Sequence, residues 1–220
     1  MLHSDVLNIS FRHLYQIKSV FGEILGIDGI EHFSLDLVNP DGEMLFFSGT
    51  PQHAFEICHR GLGKYDGIIS PTYYENYEFY WWSEAAHKAY SDEIKKIREG
   101  YLGLKHGFML VRKWNNFHLI YSFATKRSDP HFQSMVINKI NSFLKMGDYA
   151  YSRMSETYAI YTGNYEPPLI KEFYSFEGGK PPARHTKDFT LAVKSEVAEK
   201  SYSNNLIVVD FSARKHILSS

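Results

Sequence analysis

The chain has 220 residues, with 24 Lys and Arg against 25 Asp and Glu, for a net charge of −1. That length suits one large domain or one domain with an appendage, and the even charge excludes the strong basic bias of a bulk nucleic-acid binder. A single cysteine, Cys58, excludes an internal disulfide framework and a cysteine-rich zinc site.

No apolar run approaches the ~20 residues that span a bilayer, and Met1 to Ser10 show no cationic start followed by an apolar core. A reduced, cytoplasmic protein without membrane association is the expectation. Sixteen tyrosines among the aromatic residues add side chains with a large apolar body and one hydroxyl that seeks a partner when buried. Such side chains serve either an aromatic core with wet tips or the wall of a small-molecule pocket.

Along the chain, Phe11, Leu14, Ile17, Phe21 and Leu25 recur at three and four and predict a first helix stopped by Gly26. His32 to Val38 alternates, Asn39-Pro40-Asp41-Gly42 is a turn signature, and Glu43 to Ser48 follows, so 32–48 reads as a β-hairpin. Pro51 opens a short helix through Ala54, Phe55, Ile57 and Cys58 that ends around Gly61 to Gly63. Residues 64–76 read as irregular, and Tyr77 to Trp82 as a buried aromatic strand. Ser83 and Glu84 predict the start of a helix whose apolar face is Ala86, Tyr90, Ile94 and Ile97 and whose end is Gly100. Its charged run Asp92 to Glu99 reads as a solvated face.

Phe108 to Val111 and Phe117 to Phe123 make a second hairpin, turning near Asn115-Asn116. Asp129-Pro130 opens a last helix with Phe132, Val136, Ile140 and Phe143 on one face, closed by Met146-Gly147. The order helix, hairpin, helix, strand, helix, hairpin, helix predicts an α+β fold: a three-layer α/β/α sandwich around a mostly antiparallel five-stranded sheet. A sensor-sized domain over 1–160 precedes a tail, 161–220, in which Phe189 to Val197 and Leu206 to Phe211 read as a β-hairpin arm.

That order, with several residues, resembles the PAS-like autoinducer-binding domain of LuxR-type quorum-sensing regulators. Pro51, Gly61 and Asp66 fall in the family's order, and Trp82 follows Asp66 at about its spacing in Phe79-Tyr80-Trp81-Trp82-Ser83. Gly107 in His106-Gly107-Phe108 and Ser122 in Tyr121-Ser122-Phe123-Ala124 complete the likeness, which covers roughly residues 9–150.

The resemblance implies binding of an acyl-homoserine-lactone-like ligand. Asp66 would accept its amide N–H, Trp82 would donate its indole N–H to the lactone carbonyl, and Ser122 would support the acyl carbonyl. The site would lie between the sheet and the helices at 51–62 and 84–99. Tyr73 and Tyr74 are candidate lid residues or packing residues. Trp81 and Trp82 alternate on a strand, so only one of the two faces the pocket, and the resemblance favours Trp82.

The chain departs from the family at Ala54 or Phe55 and at Cys58, where ring-bearing ligand contacts are usual, and at Val111, where Pro is usual. Residues 154–220 lack the helix pairs of the family's DNA-binding module. These features predict a sensor that acts through a protein partner or as a homodimer, without direct nucleic-acid binding, and with no cofactor or metal ion. The scattered histidines, His3, His13, His32, His53 and His59, are expected at surfaces or caps.

Two alternatives come from other classes. Cys58 beside His59 invites a cysteine-dependent hydrolase, which needs a distant imidazole because adjacent helical residues point about 100° apart. The other is an interaction protein that keeps the sandwich with its pocket closed.

Overall fold

The computed structural model describes residues 5–67, 70–85, 87–114, 116–162 and 165–168. Among these, five strands form one fully antiparallel sheet: β1 (His32–Val38), β2 (Met44–Ser48), β3 (Phe79–Trp81), β4 (His106–Trp114) and β5 (Phe117–Thr125), in the order β2-β1-β5-β4-β3. Seven α-helices accompany them: α1 (Val6–Arg12), α2 (Leu14–Gly22), α3 (Pro51–His59), α4 (Pro71–Tyr74), α5 (Ser91–Leu102), α6 (Phe132–Asn138) and α7 (Ile140–Tyr161). This is the α+β architecture that the element order predicts. The strand-like segments 189–197 and 206–211, and with them the expected hairpin arm, lie outside the described residues.

The first hairpin forms as its turn residues require. Asn39 Oδ1 accepts the backbone N–H of Asp41 and Glu43, and Gly42 takes a φ of +75°. At the second hairpin, Trp114 pairs with Phe117 and Asn116 takes a φ of +67°.

One face of the sheet is apolar. Phe33, Leu35 and Leu37 of β1, Phe108 and Leu110 of β4, and Tyr121 and Phe123 of β5 pack with Phe21, Phe143, Met154 and Tyr158 of the helices into the main core. Helix α7 is fastened there by polar contacts as well. Arg112 donates twice to Asp148, at 2.6 and 2.7 Å, and Tyr121 donates to the same carboxylate at 2.8 Å. Burial pushes the Asp148 carboxyl up, against the pull of Arg112 and Tyr121. Tyr158 donates to the Leu35 carbonyl at 2.7 Å.

Several boundaries differ from expectation, among them β3, which is Phe79–Trp81, and the segment 64–76, which holds α4. The last helical segment runs on to Tyr161 and does not close at Gly147. Gly147 is there for close approach, since a Cβ would lie 2.1 Å from the Tyr121 ring. The helix expected from Ser83 begins at Ser91. Residues between are tied to the segment before β3: Tyr73 donates to the Glu84 carbonyl at 2.7 Å and the His87 N–H to the Tyr65 carbonyl at 3.0 Å. That helix also passes through Gly100 and ends at Gly103, whose φ is +67°. At the N-terminus the single predicted helix is two, with Phe11 and Leu25 on the outside and Ile17, Val20 and Phe21 inward.

Candidate functional site

On the opposite face of the sheet, register places polar residues where a buried layer would normally be apolar. Ser48, Ser34, Ser122, Met109 and Tyr80 form one row across all five strands, and Asp36 pairs with Phe46 and Ile120 in the next. Helices α3 and α5 cover this face. Their own contact is a separate small cluster of Ile57, Leu62, Ile94 and Ile97, with Tyr65 and Tyr90 at its edge. His32, Ser34, Asp36, Ser48, His53, Asp66, Arg98 and Ser122 are all buried in this layer.

A salt bridge sits at its centre. Arg98 of α5 donates to Asp66 Oδ1 at 2.6 Å, with side-chain exposures of 7% and 5%. The Arg98 guanidinium also lies 4.4 Å above the Trp82 ring, a cation–π stack away from bulk water. Trp82 Nε1 donates to Ser122 Oγ at 3.1 Å and to Met109 Sδ at 3.2 Å. Gly107 lets the indole lie against the sheet, because a Cβ there would meet it at 2.3 Å.

Two histidines complete the ring of groups. His32 and His53 meet edge to face at 5.2 Å, and His32 meets Trp82 at 5.9 Å. His32 Nδ1 lies 3.1 Å from Thr50 Oγ1, and His53 Nδ1 lies 3.2 Å from the Thr50 carbonyl. Burial holds both rings below the ordinary imidazole range, with the His53 and Arg98 charges adding to the effect on His32. Both are therefore neutral at pH 7. Burial, reinforced by the Asp66 charge, holds the Asp36 carboxyl well above the usual carboxylate range. It does the same to the Tyr80 hydroxyl, helped by Asp36 and Asp66.

Beside the salt bridge is a cavity of about 40 Å³ between β1, β2 and α3, walled by Ser34, Asp36, Met44, Phe46 and Ser48 below and His53, Ala54, Ile57, Cys58 and Asp66 above. That is room for about one water, well short of the ~300 Å³ at which ligand pockets begin. Four buried polar atoms make no hydrogen bond among the described residues: His32 Nε2, Asp36 Oδ2, Tyr80 OH and Arg98 Nε. All four belong to this one layer.

Of the residues singled out from sequence, Asp66 lines the cavity, while Trp82 and Ser122 lie beside it, bonded to each other and joined to Asp66 through Arg98. Tyr73 and Tyr74 are buried in α4 next to the same face, Tyr73 5.3 Å from Tyr80 and Tyr74 5.1 Å from His118. Trp81 points to the opposite face and packs on Phe79 and Phe108 in the main core. Cys58 faces the cavity with its thiol pushed up to about 11 by burial and the Asp66 charge, the reverse of thiolate activation.

Arg98, Asp36, His32 and His53 were not anticipated. The run Asp92 to Glu99 is solvated at Asp92, Glu93, Lys95, Lys96 and Glu99, but Arg98 lies one turn beyond Ile94 and turns inward with it. His32 and His53 are buried, not at surfaces. The signal in β1 was its alternation. His32, Ser34 and Asp36 form the polar half, and in a three-layer sandwich that half is covered.

Among the described residues no group of three or more His, Cys, Asp or Glu could hold a metal ion, and no helix is long and apolar enough to cross a membrane. No protein-family model matches the sequence, and no curated protein matches it. Among solved structures the chain is similar to SdiA in complex with octanoyl-rac-glycerol, at 14% identity and a TM-score of 0.47, over 70% of this chain and 69% of that one. It is similar to Escherichia coli SdiA at 13% identity and a TM-score of 0.47, over 87% and 78% of the two chains. The N-acylhomoserine-lactone-dependent LuxR-family transcription factor CepR2 of Burkholderia cenocepacia is similar at 12% identity and a TM-score of 0.45, over 68% of this chain and 96% of that one.

Proposed function

We propose that this chain is a small-molecule sensor of the LuxR autoinducer-binding type. Its amphipathic, acyl-homoserine-lactone-like ligand is held between the polar sheet face and the α3–α5 cover, with Asp66, Trp82 and Ser122 at the polar end. The observation that carries this reading is the gathering of four unsatisfied buried polar atoms, on His32, Asp36, Tyr80 and Arg98, in one layer beside a cavity. Leaving such an atom unpaired costs about 1–3 kcal/mol, so a fold that gathers four of them gains by receiving a molecule that bonds to them.

The cavity is too small for an acyl chain, so the ligand enters by moving the cover. The α3–α5 contact is built for that, since its four buried aliphatic residues form a cluster of their own, apart from the main core. The sensor acts in the cytoplasm through a protein partner or as a homodimer. A regulatory role in transcription would then be exerted through that partner. The raised Cys58 thiol speaks against the hydrolase alternative.

The test is a thermal-shift panel of acyl-homoserine lactones, acyl amides and monoacylglycerols. A ligand at a hundred times its Kd adds about 2.7 kcal/mol and raises the midpoint by roughly 5–10 °C in a chain of this size. No shift across the panel, with partners captured equally by the chain and by its Asp66→Asn and Trp82→Phe variants, would establish the closed-scaffold alternative.

A further inference from the structure

The groups expected to read a ligand's amide are engaged within the protein. Asp66 is held by Arg98 at 2.6 Å in a buried pair, and the Trp82 indole N–H is spent on Ser122 and Met109. A ligand N–H that displaced Arg98 from Asp66 would strand a buried guanidinium, and one hydrogen bond returns less than that costs.

What the layer has left over is of the other polarity. Arg98 Nε can only donate, and the Tyr80 hydroxyl can donate. His32 Nε2 carries the ring proton when Nδ1 accepts from the Thr50 hydroxyl 3.1 Å away. Burial favours the protonated Asp36 carboxyl, which adds an O–H donor at the cavity wall. The balance is four groups that can each donate, two of them, Arg98 Nε and the His32 Nε2 proton, unable to accept, around a salt bridge whose charges cancel.

We infer that the ligand is read through neutral acceptor oxygens, those of an ester, lactone or ketone, by Arg98 Nε, Tyr80 OH and Asp36, and that an amide N–H on the ligand contributes nothing to affinity. This rests on the sensing reading above and specifies its ligand class. Arg98 stands where the head-group amide would otherwise meet Asp66, so the site does not distinguish an amide from an ester of the same shape.

The probes are matched pairs: N-octanoyl-homoserine lactone and the isostere with oxygen in place of the amide nitrogen, with longer and shorter chains of each, titrated calorimetrically. The two members of a pair are expected to bind within about threefold of each other, and Tyr80→Phe, which keeps the ring, to weaken both by about tenfold. Arg98→Gln frees Asp66 and is expected to create an amide preference of about tenfold where none existed. An amide preference of that size in the unaltered chain, or binding that Tyr80→Phe leaves unchanged, overturns the inference while the sensing reading stands. Binding of neither member at any chain length overturns both.

Discussion

Gly107→Ala tests how the site is supported. The added Cβ would stand 2.3 Å from the shared edge of the Trp82 indole, against an ordinary contact of 3.4–4 Å, so the ring must withdraw by about 1 Å. Retreat is obstructed, because the Arg98 guanidinium covers the ring at 4.4 Å from the helix layer and Arg98 is itself tied to Asp66. Overpacking of this kind costs about 1–3 kcal/mol, and loosening the Trp82–Ser122 hydrogen bond adds about 1. Replacing glycine in a strand returns about 0.5–1 kcal/mol, leaving a net loss near 2 kcal/mol. In a domain of this size that lowers the melting midpoint by roughly 4–8 °C. Circular dichroism melts give the midpoint, and tryptophan fluorescence reports the indole's displacement. Gly22→Ala is the control, since a Cβ there meets nothing within 4 Å, and it should hold or raise the midpoint. If Gly107→Ala melts at or above the parent temperature, the stacked arrangement of Gly107, Trp82 and Arg98 is not what holds the layer.

Three further outcomes are expected. Asp148→Ala removes the carboxylate shared by Arg112 and the Tyr121 hydroxyl and should cost about 3–5 kcal/mol in urea unfolding; a cost under about 1 would assign the anchoring of α7 to apolar packing alone. Below about pH 6.5 the unfolded chain protonates His32 and His53 while the fold keeps them neutral, so unfolding takes up protons and stability falls on acidification, by up to about 1.4 kcal/mol per pH unit for each. Asp36 runs the other way: burial lets its carboxyl keep the proton in the fold after the unfolded chain ionises above about pH 4, so stability falls as pH rises from there until the folded group ionises. Asp36→Asn should therefore steepen the acid-side loss above about pH 4, and an unchanged slope in urea midpoints would mean that the carboxyl is ionised in the fold. With its thiol pushed up to about 11, Cys58 should react with iodoacetamide roughly two orders of magnitude more slowly than a free cysteine, and a rate equal to that of free cysteine would revive the hydrolase reading.

The architecture was legible because local signals agreed with one another. The Asn39-Pro40-Asp41-Gly42 turn and the alternation on either side specified the first hairpin, and Asn116 the second. Glycines were legible as punctuation and illegible as contacts. Gly147 and Gly100 lie inside helices, and for Gly147 the cause is a Tyr121 ring that comes from β5, far away in sequence. The site was half visible for the same reason. Asp66, Trp82 and Ser122 are brought together, but what joins Asp66 to Trp82 is Arg98, hidden in a run of charges whose other members do face water. Polar residues on alternate strand positions read as solvent-facing until a second layer of helices is known to cover them, which is why the sequence points His32 to a surface and gives no sign that Asp36 is buried.

The helices thus divide unequally between the two faces of the sheet. One face carries a thick aromatic foundation shared among α2, α6 and α7; the other carries a light roof whose fit depends on Ile57, Leu62, Ile94 and Ile97. Mutation can remodel the roof with little risk to the foundation, because no residue of the four belongs to both clusters. Under the proposed sensing role, such a lineage is free to change which guest it admits by exchanging one aliphatic shape for another, and selection for a new signal would be read first at those four positions.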